Sequence, residues 1–352
     1  GVDFPDPDKI ASINAYLGAF PIAKALENGA DIVITGRSVD SAVTLGACIY
    51  SFGWNENEYD FLSSGSLAGH IIECGTQSTG GNFTDWEQVS ENLNNIGYPI
   101  VEIESNGLFT CTKSKSSSGI VNIGTVSEQM LYEIGDPQAY ILPDVICDFS
   151  NVELIEIENN MIQVSGAKGY PSPSDYKVSV TYADGFRGGH LCSFVGIDAD
   201  KKAQVFGDAI FQRSKTIMRA MNIPDFDETS VEVIGSNSQY STDIDEKYNN
   251  KEVVLKFAAK HEDIRAIGIM LKESVGLGLA TPPGLSGFAG ARPKPSPVVR
   301  LFSFLIPKSK VPIKIIDDKE HDIEVSKGEN YDSNQTIRPL KPEYNDIEEE
   351  LI

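Results

Sequence analysis

The sequence predicts an α/β protein. We expect a mostly parallel sheet flanked by helices, a strand-rich antiparallel insertion, and further α/β or α+β elements in the last third. Near the start, the short and almost wholly apolar run Asp31–Thr35 lies between two stretches with helical spacing, which is typical of a parallel strand covered on both faces. Further along, several runs alternate apolar and polar residues around turn signals, as antiparallel strands do.

The first region, residues 1–96, is predicted to carry this parallel sheet and the candidate site. Helices are expected over Leu17–Asn28, Val39–Phe52 and Ser66–Thr76. Gly29 is the expected C-terminal cap of the first helix, and Ser38 is the expected N-terminal cap of the second. A strand between two helices is the βα arrangement from which parallel sheets are built.

The second region, residues 97–198, is predicted to be rich in strands. The turn signal Asn106-Gly107 should close one hairpin, and the Asn-Asn pair at residues 159–160 should close another. Between two later strands, a tight hairpin is the expected structure of Ala183–Gly189. The strands are expected over Tyr98–Glu104, Leu108–Lys113, Val152–Glu158, Met161–Ser165, Tyr176–Tyr182 and Leu191–Ile197, and a helix over Thr125–Ile134.

The third region, residues 199–316, returns to alternating helices and strands. Helices are expected over Ala199–Met221 and Glu262–Leu279, and strands over Val231–Ile234 and Val253–Ala258. Residues 317–352 are charged, mostly acidic and poor in aromatics, which is the composition of a solvated or disordered tail.

Charge and cysteine usage narrow the partners and the compartment. The chain carries 51 acidic residues against 29 Lys and Arg, and its formal net charge is −22. This field repels phosphate backbones and anionic headgroups, so neither nucleic acid nor a membrane is expected as a partner. Five Cys without a close pair favour reduced thiols and a cytoplasmic setting, or the mitochondrial matrix in a eukaryote. An exposed edge on the sheet would favour a homo-oligomer.

Several common catalytic motifs do not occur in the sequence. There is no GxGxxG fingerprint, P-loop, GxSxG, HExxH or DFG motif. Dinucleotide oxidoreductases, P-loop NTPases, serine hydrolases, zincins and kinases are therefore disfavoured. No cofactor is predicted, and no metal ligands are assigned.

The first candidate site follows the predicted strand at Gly36-Arg37-Ser38-Val39-Asp40. Open α/β sheets place ligands at the carboxyl ends of their strands, where a helix N-terminus can hold an anion. Arg37 could clamp a carboxylate or a phosphate. In the alternative interpretation, Arg37 and Asp40 are three residues apart and form an ordinary ion pair.

The second candidate site lies on the predicted third helix. His70, Glu73 and Cys74 are three and four residues apart, so they share one helix face. His70 could relay protons while Glu73 sets its tautomer, or the trio could contribute to an incomplete metal site. Equally, His70 could be a hydrogen-bonded core residue and Cys74 an inert buried one.

The third candidate site is Gly80-Gly81-Asn82, between Thr79 and Phe83. Paired glycines let the backbone approach a ligand closely or form an anion-binding nest, although a plain turn explains them as well.

The blocks Ile13–Trp54 and Ser64–Trp86 resemble the acyclic terpene utilisation AtuA family. Further stretches of the resemblance are Gly97–Ile103, Tyr132–Phe149 and Tyr176–Gly189. Family members usually carry further βα units ahead of this point, so a site shared with such units is expected to be incomplete here. A C-terminal segment frequent in the family is replaced by the acidic tail.

The resemblance implies a role in the catabolism of branched-chain or acyclic isoprenoid acids or their CoA esters. We expect a lyase, hydratase or isomerase that uses acid–base chemistry. A non-catalytic subunit or metabolite-binding partner of an acyl-CoA carboxylase-type complex is the alternative, and a degraded paralogue that keeps only the fold is a third. The expected catalytic residues are His70, Glu73 and Asp40. The expected substrate-binding residues are Asn14, Gly36, Arg37, Ser38, Gly80, Gly81 and Asn82.

Overall fold

The computed structural model describes residues 3–236, 238–239, 250–287 and 293–331. In chain order the helices are α1 (Phe20–Glu27), α2 (Ala42–Phe52), α3 (Tyr59–Glu73), α4 (Ile123–Leu131), α5 (Ala199–Ala220) and α6 (Ile264–Gly276). The strands are β1 (Ile10–Ala15), β2 (Pro99–Ile103), β3 (Phe109–Lys113), β4 (Tyr140–Ile141), β5 (Ile146–Asp148), β6 (Glu153–Glu158), β7 (Met161–Ser165), β8 (Lys168–Tyr170), β9 (Asp175–Val195), β10 (Glu228–Ile234), β11 (Glu252–His261), β12 (Leu285–Gly287), β13 (Ser296–Pro307), β14 (Lys314–Ile316) and β15 (Glu320–Asp322).

Across the described residues the strands form four sheets. The largest has the order β1-β9-β11-β10, and β12 and β13 also pair with β9. A second sheet has the order β2-β3-β7-β6, a third has the order β4-β5-β8, and β14 pairs with β15. The β10–β11, β9–β11, β2–β3, β3–β7 and β6–β7 pairs are all antiparallel.

The predicted parallel sheet flanked by helices is wrong. The fold mixes helices with mostly antiparallel sheets, and no helix-flanked parallel sheet occurs in the part of the chain that the structure describes. Residues 31–35, the predicted parallel strand, form no strand, and Ile32 and Ile34 are 82% and 92% exposed. An apolar run becomes a strand only where a neighbouring strand pairs with it. Here the parallel pairing is reduced to one isolated bridge between Leu17 and Ser38.

The chain divides into two compact units. The first unit is Gly1–Ile13 with Val180–Phe302, and the second is Asn14–Ser179 with Ser303–Ile352. In the first unit, helices α5 and α6 pack on the antiparallel sheet and enclose a core that includes Phe194, Leu255 and Phe257. The long helix α5 confirms the prediction for this stretch to within one residue at its end.

The connection Ala183–Gly189 is not the expected hairpin. It lies inside β9, which runs for 21 residues without a break. Close packing accounts for one glycine of this segment, Gly188, because a Cβ there would lie 2.5 Å from a methyl group of Ile267 on α6. Gly188 therefore allows a helix to lie close to the strand, where sequence patterns suggested a turn.

The second unit is organised around helix α3. All residues from Leu62 to Ile71 of this helix are buried, and α2 and strands of the smaller sheets pack on it. Small side chains make this close packing possible. Added Cβ atoms at Gly65 and Gly69 would lie 2.8 Å from a methyl group of Leu45 and from the carbonyl oxygen of Ser41, respectively. Helix α3 is thus fixed on several sides, and its C-terminal turn is held at a defined place.

Both predicted hairpins of the strand-rich region are confirmed. Strands β2 and β3 pair from Ile103 and Phe109 outward around Asn106-Gly107, and β6 pairs with β7. None of the helices in the described ranges is long and apolar enough to cross a bilayer. Of the predicted acidic tail, residues 320–322 form β15, and residues 332–352 lie outside the described residues.

Candidate functional site

The segment after α1 forms the wall of the candidate site. Gly29 follows the helix with φ 93°, in the left-handed conformation expected of a glycine cap. The chain then runs irregularly until the N–H of Leu17 donates to the carbonyl of Arg37 and the N–H of Val39 donates to the carbonyl of Leu17. Helix α2 begins only at Ala42 after Ser41, so the prediction that Ser38 caps this helix is wrong. Instead, Ser38 is held beside Leu17.

An open cleft of about 680 Å³ lies along this wall within the second unit. Six of the residues expected from the sequence line it, namely Asn14, Gly36, Arg37, Ser38, Asp40 and Glu73. The remaining lining residues are Thr35, Val43, Cys74 and Glu133. The turn after Ala30, the start of α2 and the end of α3 therefore converge on one space.

His70 lies behind the cleft and does not line it. Its side chain is 2% exposed, and its Nδ1 lies 2.9 Å from Oε1 of Glu73. The Nδ1–H donates to the Glu73 carboxylate, whose side chain is 17% exposed. Within the described part of the chain, the buried Nε2 of His70 has no hydrogen-bond partner. The predicted i, i+3 pair is therefore present, with the carboxylate towards the cleft and the imidazole towards the interior.

A second contact of His70 is aromatic. The ring of Tyr140 lies 5.8 Å from the imidazole, centroid to centroid. Burial, and then the charge of Glu73, raise the pKa of Tyr140. The phenol therefore remains protonated at neutral pH and leaves Glu73 as the charged neighbour of His70 on this side.

The charges of the cleft are unequal. The lining contains three carboxylates, those of Asp40, Glu73 and Glu133, and one guanidinium, that of Arg37. Arg37 lies 3.8 Å from Asp40 and packs 5.1 Å above the ring of Tyr16. No group of three His, Cys, Asp or Glu residues in the described ranges is spaced to hold a metal ion.

Cys74 remains a thiol in these surroundings. Burial has the largest effect on its pKa and raises it. A hydrogen bond with Gln129 lowers it, whereas the charges of Glu73, Glu133 and Asp40 raise it further. A cysteine nucleophile requires the opposite environment, one that stabilises the thiolate.

The glycine pair lies outside the cleft lining. Gly80 has φ 106°, and the N–H of Gly81 donates to the carbonyl of Thr76, which forms a tight turn. The amide of Asn82 donates to Gln77 at 2.9 Å. Gly80, Gly81 and Asn82 thus form a structured turn.

A chain of amides leads from this turn to His70. Gln77 donates to the side-chain oxygen of Gln129 at 2.8 Å, and Gln129 donates to the carbonyl oxygen of His70 at 2.8 Å. Gln129 is 1% exposed, so these bonds satisfy buried groups. The turn therefore supports the position of His70 from a distance.

Glu133 is the charged cleft residue that sequence reasoning missed. It follows α4 with φ 58°, a left-handed conformation that is uncommon for a residue other than glycine or asparagine. In the sequence, the nearby Gly135 and Pro137 indicate only that a helix ends here. Nothing in this stretch indicates that the carboxylate of Glu133 lies near Asp40 and Glu73.

A second, apolar cavity of about 430 Å³ adjoins the same wall. Pro21, Ile22 and Ala25 of α1 line it, together with the segment after α1 and residues 313–317. Residues 35–38 line both the cavity and the cleft. The sequence did not predict this cavity, because a strand buried on both faces was expected there.

Comparison with known proteins finds one family. No curated protein and no solved structure matches the chain. The family described as acyclic terpene utilisation family protein AtuA matches residues 3–316, which is most of the chain. The chain therefore belongs to the acyclic terpene utilisation family AtuA.

Proposed function

We propose that the cleft binds the acyl group of a CoA ester of a branched-chain or acyclic isoprenoid acid. The proposed reaction is a proton transfer next to the ester carbonyl, as in a lyase, hydratase or isomerase. The observation that carries the proposal is the convergence of Arg37, Asp40 and Glu73 on one cleft with His70 behind it. The family assignment supports the substrate class, because its description names the utilisation of acyclic terpenes.

The charges of the cleft favour an ester over a free acid. A carboxylate substrate would meet Asp40, Glu73 and Glu133 at close range, with one guanidinium to offset them. The carbonyl of a thioester is neutral and avoids this repulsion. The guanidinium of Arg37 can donate to that carbonyl oxygen, which becomes more negative as a proton leaves the neighbouring carbon.

Glu73 is the proposed proton acceptor, and His70 is a positioning residue. The carboxylate of Glu73 takes the proton from the carbon next to the carbonyl, and the electron pair forms an enolate whose oxygen Arg37 holds. From a β,γ-unsaturated ester, return of this proton from Glu73 to the γ carbon gives the α,β-unsaturated isomer. From a β-hydroxy ester, the β-hydroxyl group leaves as water with the proton that Glu73 has taken, and an enoyl ester results. His70 donates to one carboxylate oxygen and so fixes the direction in which the other can act.

Replacement of Glu73 tests the proposal. The purified chain is assayed on a panel of enoyl- and hydroxyacyl-CoA esters of branched acids, and Glu73→Gln should lower turnover by about 10²- to 10⁴-fold. Glu153→Gln is the matched control, because Glu153 is an exposed carboxylate on β6 outside the cleft.

His70→Gln should alter the pH profile of turnover more than the Michaelis constant, because the imidazole touches Glu73 and does not line the cleft. Full turnover by Glu73→Gln would refute the role of this residue. A folded wild-type chain that converts no ester of the panel would refute the assignment as an enzyme.

A further inference from the structure

The lining of the second cavity is suited to hydrocarbon. Ile22 and Ala25 are buried and form its floor, and Ile313 and Ile315 line it from another side. Apolar walls of this kind bind ligands by removing apolar surface from water.

The rim of the cavity leaves apolar side chains in water. Ile32, Ile34 and Ile316 are 82%, 92% and 74% exposed, and all three line the cavity. Large aliphatic side chains grouped around one opening are the usual sign of a binding surface. A ligand seated in the opening would cover these three residues together.

The charged groups of the cavity offer little to a polar ligand. Lys314 is paired with Glu320 at 2.7 Å, and Asp317 accepts from His321 at 3.1 Å. Arg37 is the charged residue that the cavity shares with the cleft. The remaining polar side chains of the lining, Asn28, Thr35 and Ser38, are few beside its apolar ones, and an aliphatic chain needs no polar partner.

Continuity with the cleft identifies the occupant. Residues 35–38 form part of both linings, so a molecule whose carbonyl lies beside Arg37 can continue past this wall into the cavity. We infer that the cavity binds the aliphatic tail of the ester whose acyl carbonyl occupies the cleft, and that it selects for tail length. This inference rests on the proposed function for the identity of the carbonyl end.

Two ligand series test the inference by titration calorimetry. The first is straight-chain alcohols from hexanol to dodecanol, which carry a tail without the CoA ester. The second is acyl-CoA esters from acetyl-CoA to decanoyl-CoA and a dimethyl-branched ester of similar length. Each added methylene should raise the affinity about fourfold until the cavity is filled. Acetyl-CoA should bind weakly, through its carbonyl end alone.

Three variants locate the tail. Ala25→Leu places a larger side chain on the floor and should weaken the longest ligands while leaving acetyl-CoA unaffected. Ile34→Ser removes apolar area from the exposed rim, where it cannot disturb a core, and should weaken all long ligands. Ile197→Ser is the matched control, because Ile197 is 73% exposed and lies outside the cavity.

The outcomes separate this inference from the proposed function. Alcohols that bind with length dependence, without conversion of any ester, would keep the cavity and refute the proposed function. Esters that are converted with no dependence on tail length, or long ligands that bind Ile34→Ser and wild type equally, would overturn the inference. A wild-type oligomer that becomes monomeric with Ile34→Ser, together with absent alcohol binding, would assign the rim to a protein interface. This outcome would also overturn the inference.

Discussion

Asp144 provides the sharpest test of the energetics of the second unit. Its Oδ2 accepts the N–H of Ala19 at 2.7 Å, immediately before the first residue of α1. Burial raises the pKa of this carboxyl from 3.8 to about 6, although the Ala19 hydrogen bond and the charge of Lys308 lower it. The carboxyl therefore holds in place a helix that lines the apolar cavity. Its ionised form is less favourable in this buried position than in water.

The sign of the pH dependence follows from the raised pKa. The stability associated with the protonated carboxyl is fully present below pH 3.8 and is lost as the pH rises through about 6. A shift of about two units corresponds to at most roughly 3 kcal/mol, and the partial exposure of the residue makes this an upper limit. Asp144→Asn keeps an oxygen that can accept from Ala19 and removes the charge.

The assay is urea denaturation of wild type and Asp144→Asn at several pH values. The variant should equal the wild type near about pH 4 and exceed its free energy of unfolding by roughly 1 to 3 kcal/mol near about pH 7.

Asp60→Asn is a control of opposite sign. Burial would raise the pKa of Asp60, but hydrogen bonds from Lys168 and from the N–H of Gly169, with the charge of Lys168, lower it. Its replacement should therefore destabilise the protein at neutral pH and less so in acid. A difference between wild type and Asp144→Asn that does not change with pH would refute the reasoning.

Two further predictions concern packing and thiol reactivity. Gly69→Ala should cost about 1 to 3 kcal/mol of unfolding free energy, because its Cβ would lie 2.8 Å from the carbonyl oxygen of Ser41. Gly268→Ala on α6, where nothing lies within 4 Å, should be neutral or stabilising in the same thermal unfolding assay, and equal losses in both variants would contradict this. In the native protein, only one cysteine should react with a disulfide reagent, and slowly, because the other four cysteines are buried. Cys74→Ser should abolish this reaction. Rapid reaction of several thiols would count against the buried positions.

Sequence patterns identified the elements whose signals are local. The helical periodicity of α5 and the Asn106-Gly107 turn depend on residues close together in the chain, and both predictions hold. The stretch Asp31–Thr35 has an equally clear apolar composition, but whether it forms a strand depends on a partner strand elsewhere. Periodicity carries no information about that partner.

The candidate site was predicted partly for the wrong reason. The sequence predicts Arg37 and Asp40 at the end of a parallel strand, and they line a cleft although no such strand forms. The i, i+3 spacing of His70 and Glu73 was sufficient to predict their contact, because both lie on one helix. The sequence leaves open whether His70 is a core residue or faces a cleft, since this depends on how α3 packs in the unit. Glu133 could not be predicted, because it is remote in sequence from the residues it joins.

The shared wall at residues 35–38 places the same four peptides beside both compartments. Under the inference above, a tail in the cavity would contact the same residues that carry the guanidinium on the cleft side. The backbone bonds from Leu17 to Arg37 and from Val39 to Leu17 anchor one end of this stretch. Occupancy would then set the orientation of the group that receives the developing negative charge. Long esters would be distinguished by how fast they react as well as by how tightly they are held.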